Sequence, residues 1–263
     1  MIPVLTTGAG SCLTANNWLD AGVETASFHL APLLVRPGYQ LLCQAGDLKS
    51  YTGWAGDTVL NAALLPDKKN NGYSIRSPFD GRILKVTLEA ILNLIDKLKP
   101  DKVLMPYDID CTNTQVWKCL PIASMPFFAS GDVAGAHGMC GLYKTQLDEE
   151  NANALKDVDT LIYTFGNYDL NRIKQLQSAG IYHIESDTPA LDGRQGCLYT
   201  HSGEINISDK QFAENFSIIS ANCACIVCQQ GLTLAYLHHL LANTPLLAQR
   251  LLIQHNVFYA TTI

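Results

Sequence analysis

Charge is scarce in this chain. Only 16% of its 263 residues are Asp, Glu, Lys or Arg, and the net charge at pH 7 is −6. That balance leaves no general basic footprint for nucleic acid, so any nucleic-acid contact must rest on a local patch. No apolar run approaches the ~18 residues of a membrane-spanning helix, and no basic n-region precedes an apolar stretch near Met1; a soluble, cytoplasmic chain with no membrane partner is expected. Repeats, low-complexity tracts and Pro/Gly/Ser linkers are missing too, so composition marks no domain boundary. Nine cysteines, an odd number spread widely apart from one cluster, argue against a disulfide framework and for reduced thiols.

What is present is apolar: 48% of residues are hydrophobic, enough for one large α/β barrel or at most two compact domains. Strand-like and helix-like runs alternate: Ile2 to Thr6, Ala26 to His29, a helix Leu88 to Leu98, a strand Lys102 to Tyr107, then Thr160 to Phe165, a helix Leu170 to Ser178 and a strand Gly180 to Ile184. Such alternation predicts a parallel sheet with covering helices, most simply a barrel at this length. In a barrel, chemistry sits where strands end. This singles out Asp108 and Asp110 after one apolar run, and Glu185 and Asp187 after another. Each acid can instead cap a following helix, and periodicity does not choose between the two roles.

The densest chemistry lies near the C-terminus. Cys223, Cys225 and Cys228 fall within six residues, followed by a helical run from Leu232 to Leu241. Thr244-Pro245 then reads as an N-cap and first helical position, opening a second helix from Leu246 to about Tyr259. There Leu247, Leu251 and His255 recur at four-residue steps, which turns the imidazole inward. A lone histidine on such a face is ordinarily a core residue. Beside three clustered cysteines it completes a tetrahedral zinc set, and a full set without a further acid to hold water argues for a structural metal.

The run Cys223-Ala-Cys-Ile-Val-Cys, with Ala235-Tyr-Leu-His-His-Leu240 and Ala248-Gln-Arg-Leu-Leu-Ile-Gln-His-Asn256, resembles the C-terminal zinc region of the tRNA-guanine transglycosylases. Phe28-His-Leu, Val35-Arg-Pro-Gly38, Gly53-Trp54, Ser74-Ile-Arg-Ser-Pro-Phe-Asp-Gly81, Met105-Pro-Tyr-Asp108 and Gly196-Cys-Leu-Tyr-Thr-His-Ser-Gly-Glu-Ile-Asn206 are similar to further segments of that family. The resemblance implies a shortened, TIM-like (β/α)8 barrel over residues 1–200 carrying a base-binding pocket, and a zinc-binding helical subdomain over 201–263. It also implies exchange of a guanine in tRNA for a 7-deazaguanine, on the way to queuosine or archaeosine.

The departures fall on the chemistry. By that resemblance Asp108 occupies the base-binding position, and Asp110 stands where the family has Cys. The acid/base carboxylate becomes Asn61, the covalent nucleophile becomes Glu185, with Asp187 a less favoured substitute, and an Arg becomes Leu191. Between Asp108 and Glu185 the chain is shorter by roughly one βα unit in length, and Gly131 to Gly141 reads as a remnant of Gly-rich base-binding loops or as a plain loop. Three functions remain open: a divergent base-exchange enzyme; a non-catalytic zinc-binding homologue serving as partner subunit, in a homodimer or a heterodimer with a conventional transglycosylase; or a protein that binds or hydrolyses a free 7-deazaguanine.

Overall fold

The computed structural model describes residues 1–67, 72–133, 138–155 and 160–262. In chain order these form α1 (Ala15–Asp20), β1 (Thr25–His29), α2 (Leu30–Leu33), α3 (Tyr39–Gln44), α4 (Leu48–Thr52), β2 (Asp57–Asn61), β3 (Tyr73–Arg76), β4 (Ile83–Val86), α5 (Leu88–Leu98), β5 (Lys102–Leu104) and α6 (Thr114–Cys119). Then follow β6 (Met125–Phe128), β7 (Gly141–Thr145), α7 (Glu149–Ala154), β8 (Ile162–Phe165), α8 (Leu170–Ser178), β9 (His183–Glu185), α9 (Thr188–Gln195), β10 (Cys197–Thr200), β11 (Gly203–Asn206), α10 (Ile226–Gln229), α11 (Leu234–Asn243) and α12 (Pro245–Thr262).

Seven strands run parallel in the order β1-β2-β5-β6-β7-β8-β9. The N-terminal segment closes the ring. Ile2 bridges Glu185 and Val4 bridges Ser27, both in parallel sense. The expected strand Ile2 to Thr6 is thus reduced to two bridging residues, yet they supply the eighth position of the barrel. All eight strand positions survive in a chain expected to have lost about one βα unit. The economy lies in the connections: among the described residues, no α-helix spans from β6 to β7.

Alternation along each strand divides the core. Ile2, Val59, Leu104, Phe127, Tyr143 and Tyr163 pack together inside the barrel, whereas their sequence neighbours Leu60, Val103 and Phe128 pack outward in the layer holding Ile91, Leu94 and Ile95 of α5. Helix α5 forms where expected because Thr87 caps it, accepting from the Ala90 amide, and its apolar residues recur along one stripe. The same inward parity carries His29, Asn61 and Glu185 to the C-terminal ends of β1, β2 and β9. Hairpin β3–β4, not expected from periodicity, is inserted between β2 and α5.

Helix α12 joins the barrel to the C-terminal elements. Ile253 and Val257 belong to the barrel's outer core, whereas Ala248, Leu251 and Leu252 pack among Cys225, Cys228 and Leu237. Its three buried polar residues each make a bond distant in sequence: Gln254 donates to the Asn17 carbonyl at 3.0 Å, His255 bonds the Tyr199 carbonyl at 2.8 Å, and Asn256 accepts from the Tyr199 amide at 3.0 Å while donating to the Cys197 carbonyl at 2.8 Å. Against α9 the approach is so close that a Cβ at Gly193 would lie 2.8 Å from the Ile253 backbone, which is why glycine stands there. Thr244 stands at the N-cap position and Pro245 is the first residue of α12, as expected: the Thr244 carbonyl accepts from the Leu247 and Ala248 amides, while its hydroxyl donates to the Leu240 carbonyl at the end of α11. Hairpin β10–β11 spans the expected boundary near residue 200. Among the described residues, no helix is long and apolar enough to cross a membrane.

Candidate functional site

At the rim of the barrel, Glu185 ends β9 with its side chain buried at 2% exposure. Both carboxylate oxygens are engaged. Oε1 lies 2.7 Å from Nε2 of His29 and accepts from the Asn61 amide at 3.1 Å, and Oε2 accepts from the Tyr163 hydroxyl at 2.7 Å. Burial alone would push this carboxyl up, but the hydrogen bond and charge of His29, joined by the Tyr163 hydroxyl, outweigh it and hold the group below its ordinary value. The partners of Glu185 therefore favour its ionised form despite burial. Asn61 cannot trade protons as a carboxylate would, and here it orients Glu185.

Asp187 lies two residues on. It occupies the N-cap position of α9 without capping it, and its buried Oδ1 finds no hydrogen-bond partner. Burial pushes its carboxyl from 3.8 up to about 6, with the Glu185 charge adding to the rise. The folded chain consequently binds more protons here than the unfolded one between about pH 4 and 6, and this group's contribution to stability falls as pH rises through that window. Asp187→Asn should remove the penalty. In urea titrations the variant is expected to match its parent below pH 4 and to exceed it at pH 7.5 by about 1–3 kcal/mol; a variant less stable than its parent at pH 7.5 would contradict this environment.

The acids after β5 separate in role. Asp108 is exposed, and its Oδ1 accepts from the Tyr73 hydroxyl of β3 at 2.8 Å. Asp110 instead closes a local turn, accepting from the amide of Thr112 at 2.9 Å and from its hydroxyl, which holds this carboxyl below its ordinary range. Of the Gly131 to Gly141 stretch, residues 134–137 lie outside the described residues. Gly141 opens β7, where a Cβ would meet the Phe127 ring at 2.6 Å, so its smallness serves strand packing.

Far from the rim in sequence, Cys223, Cys225, Cys228 and His255 bring their ligand atoms within 4.8 Å of one another, a group that could hold a metal ion. Nδ1 of His255 lies 3.4 Å from Sγ of both Cys225 and Cys228, and the Tyr199 carbonyl holds its Nε2, fixing the ring. Hydrogen bonds from Cys228 and His255 hold the Cys225 thiol below its ordinary value, whereas its neighbours Cys223 and Cys228 are pushed up.

The structure thus brings Asn61 to Glu185 and gathers all four expected metal ligands, leaves Asp108 on Tyr73 and turns Asp110 to a local cap. Sequence reasoning did not anticipate His29 or Tyr163. His29 carried one signal, its place at the end of a strand-like run; Tyr163 carried none, since an inward tyrosine within an apolar strand looks like core.

The family model of queuine tRNA-ribosyltransferase matches residues 144–263, which include β9, Glu185 and the Cys3His group. The queuine tRNA-ribosyltransferase of Nitratidesulfovibrio vulgaris (strain DP4) is 24% identical over 310 residues, covering 98% of this chain and 82% of the relative. That of Lawsonia intracellularis is 24% identical over 316 residues (100% and 84%), and that of Thiobacillus denitrificans 25% over 310 (98% and 83%). These aligned lengths exceed the chain's own 263 residues, so the relatives hold residues this chain lacks. With the barrel complete in its strand positions and the Cys3His group assembled, the chain is similar to the queuine tRNA-ribosyltransferases over nearly its whole length, at 24–25% identity to these three relatives.

Proposed function

We propose that the protein exchanges guanine for a 7-deazaguanine in tRNA, with Glu185 as nucleophile, Asp108 as the group that reads the base, and zinc held by Cys223, Cys225, Cys228 and His255. The observation that carries the reading is the buried carboxyl of Glu185 at the end of a barrel strand, with its oxygens held by His29, Asn61 and Tyr163. Nucleophilic displacement at a ribose carbon needs a carboxylate that is charged without being hydrated, and His29, Tyr163 and Asn61 supply that state. Glu185 attacks the ribose carbon as guanine leaves, and the incoming base then displaces the resulting ester. Asn61 keeps the attacking oxygen in place and moves no proton.

Asp108 is suited to the Watson–Crick edge of a purine-like base, since one carboxylate offers two acceptors to adjacent N–H donors. Tyr73 holds one of these oxygens in advance. Asp108→Ala is expected to weaken guanine binding by about 10- to 100-fold, the loss of a hydrogen bond to a charged acceptor, with thermal stability unchanged because the residue is exposed. Calorimetry with guanine checks this; unchanged affinity would remove Asp108 from the pocket.

For the metal, three soft sulfurs and an imidazole are the donor set of a closed zinc site. Tetrahedral zinc, with Zn–S near 2.3 Å and Zn–N near 2.0 Å, sets S···N edges of about 3.5 Å, and those observed are 3.4 Å. Its role is structural. Bound there, zinc would cross-link α10 to α12, and no group of the set is left over to hold an activated water.

A second reading has its own support. Glu185 is 2% exposed with both oxygens bonded, and one donor is an amide where the resemblance places an acid/base. That arrangement also suits a non-catalytic subunit paired with a conventional transglycosylase, in which the buried cluster stabilises the barrel rim. Base exchange by the purified chain alone separates the two.

A further inference from the structure

Three members of the Cys3His group are sealed: Cys225 is 1% exposed, Cys228 7% and His255 0%. Cys223 is partly exposed, and it lines a cleft of about 730 Å3 between α8 and the end of α12, together with Lys174, His201, Phe258 and Tyr259. Of the four, Cys223 alone faces a cleft open to solvent. Five other cysteines are also partly exposed, namely Cys12, Cys43, Cys119, Cys140 and Cys197. None of the five sits in the metal set. A thiol bound to a divalent cation is deprotonated outright, and oxidation follows thiolate character and access together. Cys223 combines the two. A zinc ion with three thiolates carries net negative charge, and the Lys174 ammonium on the cleft wall complements it.

We propose that Cys223 is a modification site: the thiolate through which hydroperoxide-class oxidants enter the metal centre, converting it to a disulfide and releasing the ion. The Cys223 sulfur attacks one peroxide oxygen, the O–O bond breaks, and hydroxide leaves to become water, giving a sulfenic acid. A sulfur of Cys225 or Cys228, within 4.8 Å, attacks that sulfur; the S–S bond forms and a second hydroxide leaves. Two thiolates lose two electrons, peroxide gains them to become two waters with protons from solvent, and zinc departs with two ligands lost.

The inference rests on the zinc reading above. The test treats the zinc-loaded full chain with hydrogen peroxide, follows zinc with a chromogenic chelator, and maps each cysteine by mass spectrometry after alkylation. Expected is one zinc released per disulfide, with Cys223 in that disulfide before Cys12, Cys43 or Cys119 is oxidised. In Cys223→Asp, which keeps an anionic ligand without an oxidisable sulfur, release should be at least tenfold slower. Retention of zinc while the outlying cysteines oxidise, or a Cys225–Cys228 disulfide formed with Cys223 still reduced, would overturn the proposal and leave the zinc site standing. Should Cys223→Asp not take up zinc, the parent's cysteine map alone decides. A chain that holds no zinc when loaded would overturn both.

Discussion

Cys228→Ser should leave the purified protein with less than a tenth of its parent's zinc and lower its stability by several kcal/mol. Structural zinc contributes folding energy outright, because the assembled site exists only in the folded chain. The geometry shows where the loss would spread. Cys228 is buried in a cluster with Cys225, Leu251 and Leu252, and α12, which carries both those leucines and His255, is clamped to α9 at Gly193 and to β10 through Asn256. Loosening it should be felt in the barrel as well as in the C-terminal helices. At roughly 2–4 °C per kcal/mol for a chain of this size, the drop is on the order of 10 °C. Metal analysis with thermal unfolding checks it, and chelation of the parent should reproduce the shift. An unchanged metal content in Cys228→Ser would remove this cysteine from the site.

The second large effect is on chemistry. Glu185→Gln keeps the size of the side chain and removes its charge, so base exchange should fall on the order of a thousandfold or more, as when a covalent nucleophile is lost. Folding should survive, since Gln still offers an acceptor to Tyr163 or His29 and the cost of its amide group is a fraction of a domain's stability. The partner-subunit reading expects no exchange in either protein. In both readings the amide placed against the Asn61 and His29 donors in a buried site costs about 1–3 kcal/mol of stability, so the parent's own turnover discriminates. Undiminished exchange in Glu185→Gln would remove Glu185 from the nucleophile role.

The metal group was legible in the sequence because its signal is chemical and local. Three cysteines within six residues have few other uses in a reduced chain, and the four-residue steps from Leu247 to His255 fix which face the imidazole takes. Helices Leu88–Leu98 and Leu170–Ser178 were legible for similar reasons: Thr87 and Asp169 cap them, and their apolar residues keep helical spacing. The rim was legible only in part. Asn61 and Glu185 could be named from the resemblance, but their mutual contact is 124 residues apart in sequence, and His29 reaches Glu185 across 156. Nothing local encodes such a meeting. It follows from barrel closure by Ile2 and Val4: the run Ile2 to Thr6 reads as a strand, but nothing local says that it lies between β1 and β9. Asp187 illustrates the converse: its position after β9 reads as a helix cap, and only burial and an unpartnered oxygen show that it does not cap.

The central claim is tested most directly by incubating the purified, zinc-loaded chain with labelled guanine and bulk tRNA, with and without a conventional transglycosylase. The account predicts incorporation by this chain alone, lost in Glu185→Gln. Incorporation only when the conventional enzyme is present, or none above that enzyme's own, would contradict it and assign the buried Glu185 cluster to the stability of a partner subunit.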